Sequence, residues 1–219
     1  MSAEQHATSR RPDPRLPGTR EATKGAQTRR TILEAAIVRF GRDGYRSSSV
    51  ADIARDAGVG GTVAYSYFPN KEALFLAAVD EDAAGVISEG FLATLDDREL
   101  VDWQGQLIVS LLDAVERHPL ARRLLAGLEP DVTVRVLEIP ALAEVRKVCT
   151  ERLRSDQVTG KVRSDIDPES LGNGLVSIML SILMSAVQLG GEVASTYAPG
   201  VLAVVGAAID PVPSRPSGS

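Results

Sequence analysis

The sequence predicts an all-α fold, with an N-terminal three-helix helix-turn-helix domain followed by a larger helical domain. Two observations predict this class. Apolar residues recur at helical spacing along almost every segment, and no convincing β alternation appears. Gly and Pro residues interrupt these segments at intervals that suit helices joined by short turns.

The first helix is expected over about residues 28–42. Ile32, Ala36 and Phe40 recur every four residues and form one apolar stripe along it. Gly44 follows and is expected to end the helix. This stripe predicts that the helix packs on one side only, as the first helix of a compact N-terminal unit.

Two short helices joined by a tight turn follow. Ser49 is a good N-cap for the first of them, and Gly58 can supply the positive φ that the turn needs. The apolar face of this helix comprises Val50, Ile53 and Ala54. The second short helix is expected over residues 59–68, and Asn70 then caps a long helix over about 71–87. Its few core residues are Val59, Ala64 and Phe68.

The remaining chain is interpreted as a second, larger helical unit. Its helices are expected at about 100–117, 119–127, 130–137, 141–157, 168–189 and 193–209, with Gly or Pro at most of the joints. The predicted division is a flexible basic arm over 1–26, a helix-turn-helix domain over 27–74, a larger domain over 75–210 and a flexible tail over 211–219.

Charge is distributed unevenly along the chain. The net charge is −5, but residues 1–80 carry +3 and residues 81–219 carry −8. A basic N-terminal third before an acidic remainder is typical of a nucleic-acid module attached to a domain that avoids DNA. A chance imbalance is the alternative.

Several functional classes lack their usual signals. We find no phosphate loop, metal-ligand cluster or nucleophile elbow, so we expect neither an enzyme nor a bound cofactor or metal. The single Cys149 and the lack of a secretory apolar segment favour the cytoplasm. The uncharged run between Glu169 and Glu192 contains Asn173 and Gln188. We interpret it as a buried helix whose apolar core is too short to span a membrane.

The helix-turn-helix segment resembles a known family. The residues SVADIARDAGV, followed by GGTVAYSYFPNKEALF, are similar to the N-terminal domain of the TetR family of transcriptional regulators. The preceding RRTILEAAIVRFGRDGY resembles that family's first helix, so the match covers about residues 28–79. The resemblance implies a DNA-binding homodimer whose second short helix enters the major groove, and a larger domain that binds an effector and dimerises.

The resemblance also implies DNA contacts for particular residues. Tyr65, Tyr67 and Lys71 stand where the family contacts phosphate and the groove edge. Lys71 lies at a helix N-terminus, where a cation opposes the macrodipole unless an anion such as phosphate is bound. We expect Tyr65→Ala or Lys71→Ala to weaken DNA binding and to leave the fold undisturbed. The full expected contact set is Arg30, Arg46, Ser49, Gly60, Gly61, Thr62, Val63, Tyr65, Ser66, Tyr67 and Lys71.

The expected recognition helix departs from the family's usual pattern. Gly60 and Gly61 stand where a Ser or Thr cap and often a basic residue are common, and no charged residue lies between Gly58 and Asn70. Without Arg–guanine pairs, base reading is expected to depend on thymine methyl groups, hydroxyl contacts and DNA shape. The paired glycines either permit close backbone approach or fray the helix.

The larger domain is expected to hold the dimer interface and the effector pocket. The last two helices pair with their mates in the family, and the expected interface residues are Ser177, Ser181, Ser185, Val201, Leu202 and Val205. A pocket is expected between helices 100–117, 141–157 and 168–189. Its candidate lining residues are Trp103, Gln106, Ser110, Cys149, Met179 and Leu183. Their apolar bias predicts a hydrophobic or amphipathic effector.

These expectations combine into one function. We expect a sequence-specific transcriptional regulator, with a repressor released from a palindromic operator by a small ligand as the preferred interpretation. Its partners would be a double-stranded DNA operator, a second copy of the chain and an unidentified effector, with no membrane. The alternatives are a constitutive dimeric repressor without effector, an activator, and a helical protein-interaction module.

Overall fold

The computed structural model describes residues 17–95, 103–130 and 137–211, and the regular elements in these ranges are α-helices. In chain order they are α1 (Pro17–Ser47), α2 (Val50–Asp56), α3 (Gly61–Tyr67), α4 (Lys71–Leu95), α5 (Trp103–Arg117), α6 (Pro119–Leu125), α7 (Pro140–Val158), α8 (Pro168–Leu189) and α9 (Gly191–Ile209). The predicted all-α class is confirmed. The helix expected at 130–137 falls almost entirely on residues 131–136, outside the described residues, as do most of the arm and the tail.

Helix α1 is longer than the sequence predicts. It begins at Pro17, so residues 17–26, which were expected to belong to the flexible arm, are helical. The helical geometry breaks at Gly44, where φ is 82° and ψ is 169°. A Cβ on Gly44 would also lie 2.5 Å from both Arg123 Nη2 and Glu129 Oε1. The backbone conformation therefore favours glycine at this position, and any other residue would also displace the side-chain ends of Arg123 and Glu129.

The first hydrophobic core joins α1, α2, α3 and α4. Phe40 and Phe75 meet edge to face with their ring centroids 5.1 Å apart, and the Tyr45 ring lies 4.9 Å from that of Phe75. The apolar faces expected for the N-terminal helices are confirmed as core, with Ile32, Ala36, Phe40, Val50, Ile53, Ala54, Ala64 and Phe68 buried. Leu120 and Leu124 of α6 belong to the same core, so packing continues across residue 75, the expected domain boundary.

Helix α6 is fixed to α4 by a buried carboxylate. Asp82 is only 4% exposed, and its Oδ2 accepts hydrogen bonds from the backbone N–H groups of Leu120 (3.0 Å) and Ala121 (2.8 Å). This carboxylate thereby caps the N-terminus of α6, where a negative charge is favourable. The imidazole of His118 lies between Asp82 Oδ1 at 2.8 Å and Glu89 Oε1 at 3.3 Å. Asp82 and Glu89 of α4 thus hold the start of α6 in place, the latter through His118.

Four helices of the larger domain form a ring. Helix α4 packs on α5 and α7, and α8 packs on the same two helices from the other side. The second hydrophobic core is formed by α4, α5, α6 and α8 and comprises Val86, Leu107, Leu111, Ala114, Val115, Ala121 and Leu183. Helix α9 packs mainly on α8. Because α6 contributes Ala121 to this core and Leu120 to the first, α6 contacts both halves of the molecule.

Helix α8 is long and apolar enough to cross a membrane, by length and composition alone. The expectation that its apolar core is too short is therefore wrong, since the helix has 22 residues and a window with a mean hydropathy of 1.7. The expectation of a buried helix holds for one face only. Val176 and Leu183 are buried, whereas Ser177, Ile178 and Ser181 are exposed. One such helix is weak evidence for a membrane span, because core helices meet the same criterion.

Candidate nucleic-acid interface

Helices α2 and α3 form the helix-turn-helix. Ser49 caps α2, because its Oγ accepts a hydrogen bond from Asp52 N–H at 3.1 Å and donates one to Asp52 Oδ2 at 2.6 Å. Gly58 has a φ of 67° and makes the tight turn between the helices. The guanidinium of Arg39 on α1 forms a bidentate ion pair with Asp56 at the end of α2. These contacts fix α2 to α1 and give α3 a rigid support.

Both acidic side chains of α2 are paired. The Arg39 hydrogen bond is the largest cause of the lowered pKa of Asp56, and the Ser49 hydroxyl is the largest cause of the lowered pKa of Asp52. Asp52 also pairs with Arg55 at 2.9 Å. Each carboxylate is charged at neutral pH and has a cation beside it, so α2 does not present an uncompensated negative charge to DNA.

Helix α3 has one face in the core and one in solvent. The residues of α3 and of its two ends that pack into the first core include Val59, Ala64 and Phe68. On the other side, Val63 is 40% exposed and Tyr65 is 53% exposed, and Thr62 and Ser66 are exposed beside them. We call these four residues the exposed face of α3. None of them is charged.

The helix begins at Gly61, with Gly60 as its N-cap and without a side-chain cap. The φ of Gly60 is −70°, a value that any residue adopts. A Cβ on Gly61 would meet no atom within 4 Å among the described residues, and one on Gly60 would meet only Val63 Cγ2, at 4.0 Å. The protein's own packing therefore does not require glycine at either position. The pair leaves open space in front of a regular helix.

Three arginines of α1 are candidates for phosphate contacts. The Arg29 guanidinium lies 5.1 Å from the centroid of the Phe68 ring, and Arg30 pairs with Glu34 at 2.9 Å on the exposed side of α1. Arg46 is exposed near the end of α1. An uncharged face suits base contacts, and arginines outside it suit phosphate contacts.

Lys71 has partners within the protein. Its ammonium group lies 4.4 Å from the centroid of the Tyr45 ring and donates a hydrogen bond to the Arg46 carbonyl oxygen at 3.3 Å. The argument that this cation is unfavourable unless an anion is bound is therefore wrong, because the ring and the carbonyl both stabilise it. The expectation that Lys71→Ala leaves the fold undisturbed is corrected for the same reason, since the substitution removes both contacts.

Tyr67 and Ser49 of the expected contact set are also engaged within the protein. Tyr67 packs against the first core, and its hydroxyl lies beside Gly25 of α1. The hydroxyl of Ser49 is engaged with Asp52 in the cap of α2. The exposed residues of the expected set thus include the exposed face of α3, together with Arg30 and Arg46 on α1.

Comparisons with known proteins place this geometry in context. Thermus thermophilus FadR, described as a TetR family transcriptional repressor and solved in complex with lauroyl-CoA, has a similar fold with a TM-score of 0.60. The two chains are 23% identical, and the alignment covers 87% of this chain and 99% of FadR. At this identity the likeness establishes the fold.

Two curated relatives are regulators by name. The HTH-type transcriptional regulator UidR of Escherichia coli (strain K12) is 25% identical over 188 residues, which cover 84% of this chain and 94% of UidR. The HTH-type transcriptional repressor AcnR of Corynebacterium jeikeium is 25% identical over 174 residues, which cover 76% of this chain and 85% of AcnR. The sequence profile of bacterial regulatory proteins of the tetR family matches residues 32–78, the helix-turn-helix itself.

This chain is similar over most of its length to TetR-family transcriptional regulators, and its residues 32–78 form the DNA-binding helix-turn-helix of that family. The resemblance drawn from residues 28–79 is confirmed by the profile match, which lies within those bounds. Its relatives are transcriptional regulators, so the regulator is not an enzyme, as the sequence predicts.

The serines expected at the dimer interface of the regulator lie on one exposed stripe of α8. Ser177, Ser181 and Ser185 are all exposed. Ser177 Oγ donates to the Asn173 carbonyl oxygen at 2.8 Å, and Ser181 Oγ donates to the Ser177 carbonyl oxygen at 2.9 Å. Because these hydroxyl protons are already bonded within the helix, covering the stripe leaves them satisfied.

The exposed side of α9 is rotated from the expected one. The expected residues Val201, Leu202 and Val205 are partly buried. Sequence reasoning missed Tyr197 and Val204, which are 68% and 66% exposed. A signal was present, because Val193, Tyr197 and Val204 recur at helical spacing on a face without charge.

The expected pocket residues are scattered in the regulator. Leu183 is buried in the second core and Met179 packs against it, so both are core residues here. Gln106 is exposed, Ser110 is half-buried, and the Trp103 side chain lies outside the described part. Cys149 is half-buried on α7, and burial raises the pKa of its thiol, which disfavours the reactive thiolate.

The structure shows an open groove at a different place, between α7 and α8. Its lining residues are Ala143, Arg146, Lys147, Thr150, Glu151, Arg154, Glu169 and Asn173. These side chains are mostly charged, and none of them was expected from the sequence. The groove faces solvent, so it is not the apolar pocket that the sequence predicts. That pocket stays a prediction.

Proposed function

We propose that the regulator is a cytoplasmic homodimeric repressor that binds a near-palindromic operator and leaves it when a small apolar or amphipathic ligand binds. The observation that carries the DNA-binding part is the exposed face of α3. It is uncharged and supported from behind by Ala64 and Phe68, and the Arg29 guanidinium lies over the Phe68 ring at its end. A helix of this kind suits the major groove, and arginines outside it suit the phosphates.

Tyr65 gives the most direct test of this surface, because its side chain is 53% exposed and is not needed by the core. The probe is an operator that the protein selects from a random duplex library. Tyr65→Ala is expected to weaken binding to this operator by about tenfold, because one base or phosphate contact is lost. The melting temperature is expected to stay unchanged. Fluorescence anisotropy at several salt concentrations measures the affinity.

Two further variants complete this experiment. Tyr65→Phe removes the hydroxyl but keeps the ring, so it separates a hydrogen bond from an apolar contact. Val109→Ala is the control, since Val109 is 67% exposed on α5, outside the helix-turn-helix. Full operator affinity of Tyr65→Ala would mean that DNA contacts a different surface.

Dimerisation is proposed through the exposed faces of α8 and α9. The serine stripe permits close approach of a second helix, and Tyr197 and Val204 offer apolar surface beside it. A two-fold dimer of this kind would place its two α3 helices about one DNA turn, roughly 34 Å, apart. The two-fold axis is the reason to expect a near-palindromic operator.

Ligand release is proposed to act through α4. This helix runs from Lys71 at the end of the helix-turn-helix to Leu95, and its Val86 belongs to the second core. The ring of α4, α5, α7 and α8 is the proposed place of the ligand. The relative FadR of Thermus thermophilus was solved with lauroyl-CoA, an amphipathic molecule, which supports this ligand class. A ligand that binds the released state about 100-fold better contributes about 2.7 kcal/mol per site.

The ligand hypothesis is tested by titrating lauroyl-CoA and other amphipathic metabolites while operator affinity and melting temperature are followed together. An effector is expected to raise the melting temperature and to lower operator affinity. A compound that changes only the melting temperature is a passive occupant. If operator binding resists every compound, the proposal reduces to a constitutive dimeric repressor.

A further inference from the structure

The exposed face of α3 is poorly equipped to read bases by hydrogen bonds. It has no Arg, Lys, Asn, Gln, Asp or Glu, which are the side chains that recognise base edges through paired hydrogen bonds. The hydroxyl group of Ser66 donates its proton to the Val63 carbonyl oxygen at 2.7 Å. Hydrogen-bond reading is thus left to the hydroxyl groups of Thr62 and Tyr65.

The same face presents a branched apolar side chain in an open position. Val63 is 40% exposed and is the apolar aliphatic residue of the exposed face. Its Cγ2 is the atom that a Cβ on Gly60 would approach, at 4.0 Å. Because residue 60 is glycine, and because a Cβ on Gly61 would meet no described atom within 4 Å, the valine methyls stay uncovered on the side where α3 begins.

One apolar group is offered by bases in the major groove. It is the methyl group on C5 of thymine, and unmodified cytosine lacks it. A methyl group on C5 of cytosine occupies the same ring position. We propose that Val63 reads this pyrimidine 5-methyl group, so that the regulator recognises thymine and 5-methylcytosine alike at one position of each half-site. The inference rests on the proposed DNA-binding function and adds the chemical group by which the operator is recognised.

The test uses the full-length regulator and an operator selected from a random duplex library. Each thymine of one half-site, and its mate in the other, is replaced in turn by uracil, which removes only the methyl group. At the position that Val63 reads, each lost methyl group is expected to lower affinity about fourfold, because burying one methyl group away from water no longer contributes. Replacement in both half-sites is expected to lower affinity about 15-fold. At that position, a 5-methylcytosine–guanine pair is expected to bind several-fold more tightly than a cytosine–guanine pair.

Two variants connect the effect to the residue. Val63→Ala is expected to bind the thymine and uracil operators with nearly equal affinity, and its exposed position means that folding is preserved. Val109→Ala, which makes the same change at an exposed valine of α5, is expected to keep the full discrimination. Circular dichroism checks that both variants are folded.

The outcomes separate this inference from the function on which it rests. If no operator is enriched from the library, the proposed function itself fails. If an operator is enriched but uracil replaces every thymine without loss, DNA binding stands and methyl reading is overturned. Methyl reading by Val63 is also overturned if Val63→Ala retains the same preference for thymine over uracil as the unmodified protein.

Discussion

Single side chains of the helix-turn-helix hold the domain together and also lie near the surface that we propose to face DNA. Lys71 combines these roles, because its ammonium group joins the start of α4 to the Tyr45 ring and the Arg46 carbonyl at the end of α1. A phosphate bound at this edge would meet a cation that is already positioned. Arg29, placed over the Phe68 ring, is arranged in a similar way.

Lys71→Ala is therefore expected to affect both stability and DNA binding. Loss of the cation–π contact and the hydrogen bond should lower the free energy of unfolding by about 1 kcal/mol. The salt slope of operator binding should become shallower by about one unit. Lys71→Met, which keeps an apolar side chain but not the charge, should reproduce the shallower slope. An unchanged slope in both variants would show that Lys71 has only a structural role.

The ion pair between Arg39 and Asp56 predicts a pH dependence of stability. The pKa of Asp56 is lowered in the folded state, so its contribution is present above the unfolded pKa of about 3.9 and is lost as the pH falls through the lower folded value. Asp56→Asn should have a lower melting temperature than the unmodified protein at pH 7, and the difference should shrink below about pH 4. Thermal unfolding followed by circular dichroism measures it. A difference that is constant with pH would contradict the ion-pair explanation.

At the scale of helices, α3 is unusual because its sequence weakens it at the end that would face DNA. It begins with Gly61 and has no side-chain cap at Gly60. Glycine within a helix is less stable than alanine because it loses more conformational freedom on folding. The structure shows no steric need for glycine at position 61. The folded protein alone therefore gives no reason for a glycine here, whereas DNA bound in front of the helix would need the open space.

Gly61→Ala should therefore separate stability from binding. The substitution is expected to raise the free energy of unfolding by about 0.5–1 kcal/mol. Operator affinity is expected to fall, because the added methyl group occupies the space in front of the helix. Chemical denaturation and anisotropy measure the two effects on one preparation. If the variant gains stability and keeps full affinity, the open space has no function in binding.

Helix α6 depends on a cap from another helix. Asp82→Ala would leave the buried N–H groups of Leu120 and Ala121 without their acceptor, and is expected to cost about 2–4 kcal/mol. Asp80→Ala is the matched comparison, since Asp80 accepts one hydrogen bond, from Ala141 N–H at the start of α7, and should cost about 1 kcal/mol. Urea denaturation gives both values. Equal costs would mean that burial of the Asp82 cap adds nothing.

At the scale of the whole molecule, the serine stripe of α8 and the exposed side of α9 are the surfaces through which we propose dimerisation. Ser181→Arg places a long cation in the middle of the serine stripe and is expected to convert a dimer into a monomer. Val148→Arg makes a similar change at a position of α7 that is 53% exposed and is the control. Light scattering at micromolar concentration measures the mass. A Ser181→Arg variant that stays dimeric would place the interface elsewhere.

The N-terminal half could be predicted closely because its signals are local. Helical spacing of apolar residues, the Ser49 cap and the Gly58 turn act within one or two turns of chain, so the sequence indicates α2, α3 and the exposed face of α3 directly. The start of α1 was missed because residues 17–26 lack an apolar stripe. They continue the helix that the apolar residues beyond position 31 stabilise.

The sequence by itself determined the all-α class, the order of the helices, the core of the helix-turn-helix and the uncharged character of α3. Only the tertiary structure decided how α6 is held, which partners Lys71 has, and which side of α9 is exposed. Asp82 and Leu120 are 38 positions apart, and Lys71 and Arg46 are 25 apart. Contacts over such separations depend on how helices pack, and helical periodicity within each segment does not encode that packing. For the same reason, residues expected to line a pocket, such as Met179 and Leu183, became core once α5, α6 and α8 were brought together.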